Sequence, residues 1–476
     1  MTQLLDRFIN FILIGLLIFT PIAFGSVELW AFSLMELGIL LIIVLWAIQS
    51  VIGKRRLAVG NTQSAFRIPC SSGRRAHSAI MIIFLCLFLL LVLFQMLPLP
   101  SEIVKIISPK TFALRHSLTF DLSPLTFPLS FVPFATKIEF LKWLTLTGFF
   151  LFLLNWKLFN RNVMNYLILT IMLVGIGESL YGMLEFFSGH RYILYLDGSS
   201  LISSVTGTFI NRNYFAGYLL MVIPLSIGYF FSREAFQRSR FTGWRHWFSS
   251  LDGKTLLIAF GIILMILGLL FSASRMGIVS LLLSFSLIIF FFRESQRGDR
   301  FSKTTVLIFG LALLWAAWIG LDAAISRFFS ISEGFEERSK IWVNTFQIFK
   351  DFPLLGSGLG TFVHIFPMYR SFHIRGLVTH AENDFLQLAS EVGLIGMGLL
   401  LFVFAILFFR AVLAIRSFHL GDSKKYIGIG GLVGILGLIF HSLVERNIQV
   451  PANAFLFAFI WALVLRMSTK EIRKTK

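Results

Sequence analysis

Acidic residues and cysteine are both scarce: the 476-residue chain has 24 Asp plus Glu and two Cys. Cys70 falls in a basic segment and Cys86 inside an apolar run, so neither a disulfide framework nor a thiolate metal site can be assembled. Charged residues make up 14% of the chain, against about a quarter in soluble domains. No D-x-D, C-x-x-C or H-E-x-x-H pattern occurs in the segments read below as outward-facing, so no metal or other cofactor is expected. No fixed-period repeat is apparent. The first apolar run has neither a strongly basic start nor a small-residue cleavage site, so no cleavable signal is expected.

Apolar surface is what the chain has in excess. Hydrophobic residues reach 57%, Phe alone counts 55, and the mean hydropathy is +0.82. That composition excludes a soluble domain and predicts an all-α, polytopic membrane bundle. Windows near the length of about 20 residues that crosses a bilayer core fall at 8–24, 29–52, 79–97, 138–156, 164–187, 212–231, 255–272, 276–292, 304–322, 386–409, 426–444 and 453–467. About twelve transmembrane helices are therefore expected. The formal net charge of +18 raises the question of nucleic acid. With the N terminus placed inside, however, most of the 42 Lys and Arg fall on the short loops of one side. The bias predicts both termini in the cytoplasm, with anionic membrane lipids rather than nucleic acid as partners of the charge.

Three stretches fall on the outer side. Residues 98–137 are rich in Pro, Ser and Phe, and Ser101–Ile107 suits an interfacial amphipathic turn. Residues 188–211 carry Gly, Ser and aromatics. Residues 323–384 form the longest stretch, and the helical period over 336–350, stopped by Asp351-Phe352-Pro353, predicts a small, mostly helical cap. The division expected is an N-terminal transmembrane region, 1–200, followed by a core over 201–476 that includes the cap.

Polar residues that can carry chemistry gather on that outer side. His380, Asn383, Asp384, Gln387 and Glu391 recur at i, i+3, i+4, i+7 and i+11, which predicts one polar helix face at the mouth of a span. Such a stripe is costly in lipid, so it should face protein or a wet cavity; the plainer reading rests it in headgroups. An imidazole titrates near neutral pH, making His380 a candidate general base, with Glu382 or Asp384 to orient it. Arg212, flanked by Asn211 and Asn213, begins the sixth predicted span. Arg275 follows a turn too short to be a loop, and Arg338 opens the predicted cap helix. Arg370, Arg375 and Arg446 also lie outside. Guanidinium forks and helix N-termini both suit phosphate oxygens, so these arginines fit a clamp for a pyrophosphate at the outer leaflet. The plainer alternative pairs each with a buried carboxylate such as Glu178 or Glu185. His441 and Glu445 form a second i, i+4 pair, followed by Arg446, and read as supporting positions. Gly356-Ser357-Gly358-Leu359-Gly360 follows no strand, so it reads as a tight turn allowing close backbone approach, not as a nucleotide loop.

Several blocks stand in an order that resembles a known family. They are Gly207-Thr208-Phe209-Ile210-Asn211-Arg212-Asn213-Tyr214, Ser272-Ala273-Ser274-Arg275, Arg338 with Trp342, Pro353 to Phe362, and His380-Ala381-Glu382-Asn383-Asp384 with Glu391-Val392-Gly393. Over roughly 200–450 the chain is similar to the O-antigen ligase and polymerase superfamily, bacterial inner-membrane glycosyltransferases related to the GT-C class. The resemblance implies a glycan donor on undecaprenyl pyrophosphate and a glycolipid or glycan acceptor at the periplasmic face. It further implies that Arg212 and Arg275 hold the pyrophosphate, Arg338 supports the site from the loop, and His380 activates the acceptor hydroxyl. Metal-independent, inverting transfer would follow, with polysaccharide-export or assembly proteins as partners. The family's histidine is commonly followed by Asn or Ser, whereas here the order is His380-Ala381-Glu382-Asn383, which leaves the role of Glu382 open.

Ligase, polymerase and protein glycosylation all remain open within that family. Outside it, twelve spans with Glu178 and Glu185 near mid-membrane also fit a transporter, although no two halves look related and the polar residues collect on one side.

Overall fold

The computed structural model describes residues 2–58, 72–118, 125–156, 161–190, 192–197, 204–233, 252–293, 298–319, 332–373, 376–418 and 422–467. Cys70, Arg375 and the start of the large outer stretch, 323–331, lie outside the described residues. In chain order the helices are α1 (Thr2–Ile22), α2 (Leu29–Ala58), α3 (Ser72–Met96), α4 (Ser101–Ile107), α5 (Pro109–Leu118), α6 (Pro133–Asn155), α7 (Arg161–Ser188) and α8 (Arg212–Ser232). They continue as α9 (Gly253–Phe271), α10 (Arg275–Arg293), α11 (Gly298–Ile319), α12 (Ser332–Asp351), α13 (Phe362–Ile365), α14 (Asp384–Arg416), α15 (Ser423–His441) and α16 (Pro451–Met467).

The fold is an all-α polytopic bundle, as expected. Among the described residues, ten helices are long and apolar enough to cross a membrane. The two remaining predicted windows also hold helices, but their apolar stretches, Lys303–Trp318 and Pro451–Met467, are shorter. Two short antiparallel pairs were not foreseen. Pro98–Pro100 pairs with Thr126–Pro128, and Tyr192–Ile193 with Leu196–Asp197.

Helix α8 is the axis of the bundle. Every residue from Asn213 to Ser232 is buried, as expected of a helix apolar on all sides. Its closest neighbour is α15. A Cβ at Gly228 would collide with the Tyr426 carbonyl, and one at Gly430 with the Pro224 carbonyl. Small residues at such crossings let two backbones approach where lipid offers no hydrophobic drive for association. At the far end, Arg466 of α16 donates to the carbonyls of Leu154 (2.8 Å) and Trp156 (2.6 Å), capping α6.

The cap has its own core. Ile341 and Ile348 of α12 pack with Phe352, Phe362, Ile365, Phe366, Val378 and Ala381, against Leu114 and Phe131 from the first outer stretch. Asp351, which ends α12, accepts from Tyr369 Oη (2.6 Å) and pairs with Lys110 Nζ (3.0 Å) of α5. The glycine-rich segment is a clasp on α14, matching its reading as a turn of close approach. Ser357 N donates to the Ser390 carbonyl and Gly358 N to the Glu391 carbonyl, each at 3.0 Å. Gly356 (φ 72°) and Gly393 (φ 65°) both adopt left-handed backbone there, and a Cβ at either would strike the opposite strand of chain. Gln95 of α3 locks the clasp from beneath by donating to the Leu355 (2.6 Å) and Glu391 (2.9 Å) carbonyls.

Candidate active site

Six helix ends meet beneath the cap: α8, α10, α14 and α16 begin there, and α9 and α15 end there. The start of α8 is as the sequence suggested. Asn211 is its N-cap, accepting from Asn213 N at 2.8 Å, and Arg212 is the first helical residue. Arg275 opens α10 after a turn of three residues, which Ala273 completes with φ 52°. Both arginines therefore stand at helix N-termini, where free N–H groups and the dipole add positive potential.

The 380s depart from the expected helix. The helix begins only at Asp384, with Asn383 as N-cap accepting from Leu386 N (3.0 Å), and Glu382 before it has φ 51°. His380 consequently lies on an irregular segment and not on the polar stripe. Capping by Asn383 won over continued helical period, because a side chain that satisfies the free N–H groups also ends the helix. Asp384, Gln387 and Glu391 do share a buried face. Gln387 secures the irregular segment: its Oε1 accepts from Ala381 N (3.0 Å), and its Nε2 donates to Glu391 (3.2 Å) and Gln449 (3.1 Å). Trp342 of α12 closes it from above, donating to the Ala381 carbonyl at 3.0 Å.

Asp384 does not orient His380. Its Oδ2 accepts from the backbone nitrogens of Asn447 and Ile448, both at 2.7 Å, and so pins the α15–α16 connector. The partner of His380 is Arg446 on that connector: Nη1 stands 2.5 Å from Nε2. A guanidinium has only donors, so Nε2 is the acceptor and the neutral ring carries its proton on Nδ1. Burial, then the charges of Arg446 and Lys142, hold the imidazole well below its ordinary 6.5. Arg446 also reaches Tyr214 Oη at 3.4 Å, with its guanidinium over the Tyr214 ring.

Glu445, next to Arg446, gathers two predicted residues. It accepts from Asn213 Nδ2 (2.7 Å) and from Arg338 Nη1 (2.5 Å). Burial pushes its carboxyl up to about 7, against the pull of Arg338. Arg338 lies in the second turn of α12 rather than at its opening. Arg212 also acts electrostatically on Glu445, and the half-buried Glu382 carboxyl, raised by desolvation, feels both Arg338 and Arg446. His441 is wholly buried and engaged on both nitrogens. Asn447 Nδ2 donates to Nδ1 (3.0 Å), leaving the proton on Nε2, which faces Ser274 Oγ at 3.5 Å. Asn453 fixes the Asn447 amide by donating to its Oδ1 (3.1 Å).

The structure thus links Asn213, Arg338, Glu445, Ser274, His441, Asn447, Asp384, His380 and Arg446 through contacts around one connector, and Ser274 places Arg275 beside them. Sequence reasoning passed over Asn447 and Asn453. Their only signal was an amide-rich run, Asn447-Ile448-Gln449 ahead of Asn453, between two apolar windows. The plainer alternative, an arginine paired with a buried carboxylate, holds for Arg338, whose partner is Glu445 rather than Glu178 or Glu185. Both oxygens of Glu178 accept from Thr208, at 2.7 Å from its nitrogen and 2.8 Å from its hydroxyl. Glu185 accepts from Tyr192 N.

Residues 260–401 match the model of the O-antigen ligase family. Over that stretch the chain is similar to the O-antigen ligases. The matched stretch runs from α9 into α14 and so contains Ser274, Arg275, Arg338, Trp342, His380 and Asp384 of this cluster. No curated protein matches the chain. That similarity points to a glycosyltransferase-type reaction, and the apolar helices to a multi-pass membrane protein.

Proposed function

We propose that this protein transfers a glycan from undecaprenyl pyrophosphate to an acceptor hydroxyl, at the periplasmic face of the bacterial inner membrane, with its termini in the cytoplasm. The observation that carries the reading is that one connector, 441–449, gathers Arg338 and His380 by direct contact, Arg212 through its charge on Glu445, and Arg275 through its neighbour Ser274. Pyrophosphate is already a good leaving group. The protein must position the sugar, stabilise the departing charge and remove one proton. Arg212 and Arg275 would hold the phosphates, each with a helix N-terminus behind it. Arg338, fastened to Glu445, would support them from the cap. His380 would take the acceptor proton as the oxygen attacks the anomeric carbon and the lipid pyrophosphate leaves, which inverts that carbon without a metal.

A ligase acceptor, such as lipid A–core, is favoured over a second lipid-linked repeat. The deciding test incubates purified protein with a defined undecaprenyl-pyrophosphate oligosaccharide, with and without lipid A–core. One shifted product that needs lipid A–core supports the ligase; a ladder from donor alone means a polymerase. Arg275→Ala and His380→Ala should stay folded and inserted but lose transfer, and activity retained in either removes that residue from the site. Against a carrier stands the use of Glu178 as a fastening for Thr208. A carrier would lose activity in Glu178→Gln and tolerate His380→Ala; the transferase should show the reverse.

A further inference from the structure

Arg446 is the cation nearest to His380, and the glycan-transfer reading leaves it without a task. Its guanidinium sits on Nε2 of the imidazole, the nitrogen that would have to be vacant to accept a proton. Nε of Arg446 is itself buried without a hydrogen-bond partner among the described residues. A guanidinium donating to a neutral imidazole and a tyrosine hydroxyl, with one donor unmatched, is held less firmly than one on an anion. Unlike Arg338, which is paired with Glu445, Arg446 forms no ion pair among the described residues. It is also half-buried and stands on the connector that His441, Glu445 and Asp384 build around the other cations.

We propose that Arg446 is a further donor-pyrophosphate ligand that, while the site is empty, rests on His380 and occupies the nitrogen needed as base. Arrival of the pyrophosphate draws the guanidinium onto phosphate oxygens and frees Nε2 for the acceptor hydroxyl. The proton from Nδ1 stays on the ring throughout. Nε2 takes the hydroxyl proton as the acceptor oxygen bonds the sugar and the sugar–phosphate bond breaks, with the electron pair leaving on the lipid pyrophosphate. Base competence is thereby coupled to donor occupancy. This inference rests on the transfer reading for its chemistry, yet the displacement can be observed without turnover.

The experiment uses the full chain in lipid nanodiscs with ¹⁵N-labelled histidine, the His380→Gln variant identifying the His380 signals, and inorganic pyrophosphate as probe. Pyrophosphate should move the Nε2 resonance of His380 toward that of an unbonded acceptor nitrogen. Arg446→Gln should show that resonance before any addition and bind pyrophosphate at least about tenfold more weakly, the scale of one charge-assisted hydrogen bond. Arg446→Lys, which keeps the charge without the fork, should recover part of the binding. A His380 signal unmoved while calorimetry reports bound pyrophosphate, or unchanged affinity in Arg446→Gln, overturns the proposal. If the signal moves as expected but no glycan is transferred to any acceptor, the displacement stands and the transferase reading falls.

Discussion

Asp384 and Asn447, 63 residues apart, are joined by a 2.7 Å bond from the Asn447 backbone nitrogen to Asp384 Oδ2, doubled by one of equal length from Ile448. Through this contact the first residue of α14 sets the connector that bears Glu445, Arg446 and the Asn447 amide. Asp384→Ala removes the acceptor of two charge-assisted hydrogen bonds, each worth about 1.5–3 kcal/mol. The variant should unfold at lower temperature and lose transfer, while Asp384→Asn, which keeps one acceptor oxygen, should lose less of both. Thermal unfolding in detergent beside the transfer assay checks the order, and equal losses would contradict it.

Removing Arg338 leaves Glu445 buried with Asn213 as its remaining hydrogen-bond donor among the described residues. The folded carboxyl is already raised, and without the guanidinium it rises further. A raised acid stabilises the fold at low pH, and that contribution is lost as pH climbs through the folded value. Arg338→Gln should therefore cost about 3–5 kcal/mol near pH 8, the scale for breaking a buried pair, and clearly less near pH 6. Arg338→Gln with Glu445→Gln should remove the pH dependence. Unfolding curves at the two pH values decide it.

The depressed imidazole of His380 gives the opposite sign. Its neutral form persists in the fold as pH falls below 6.5, while the unfolded chain takes up the proton. The fold therefore loses stability as pH drops through the ordinary histidine range, and His380→Gln should flatten that loss. The same shift predicts that kcat/KM for the donor, which reports the free enzyme, keeps its value below pH 6.5. An acid limb centred at 6.5 would place the working base elsewhere.

The crossing of α8 and α15 tolerates no side chain at its centre. Gly228→Ala should destabilise the bundle by about 1–3 kcal/mol through overpacking, whereas Gly310→Ala, where nothing lies within reach of an added Cβ, should not. Yield and unfolding temperature of the two variants compare them directly.

The amino-acid sequence by itself determined the class of fold, the places of the spans and the terminal arginines. Each follows from local physics: bilayer thickness sets the length of an apolar window, and Asn211 caps a helix wherever one begins. The cap was legible as far as α12, because its period and its Asp351-Phe352-Pro353 stop are local as well. The partners of the site residues were not. Helical spacing put His380 on a face with Asp384, but a cap at Asn383 and left-handed backbone at Glu382 took it off the helix. Arg446, 66 residues away, became its neighbour because Asp384 fastens a connector that no short-range pattern relates to it. Only the tertiary structure decided that pairing, since hydrogen bonds between distant segments exist only once the helices carrying them have packed.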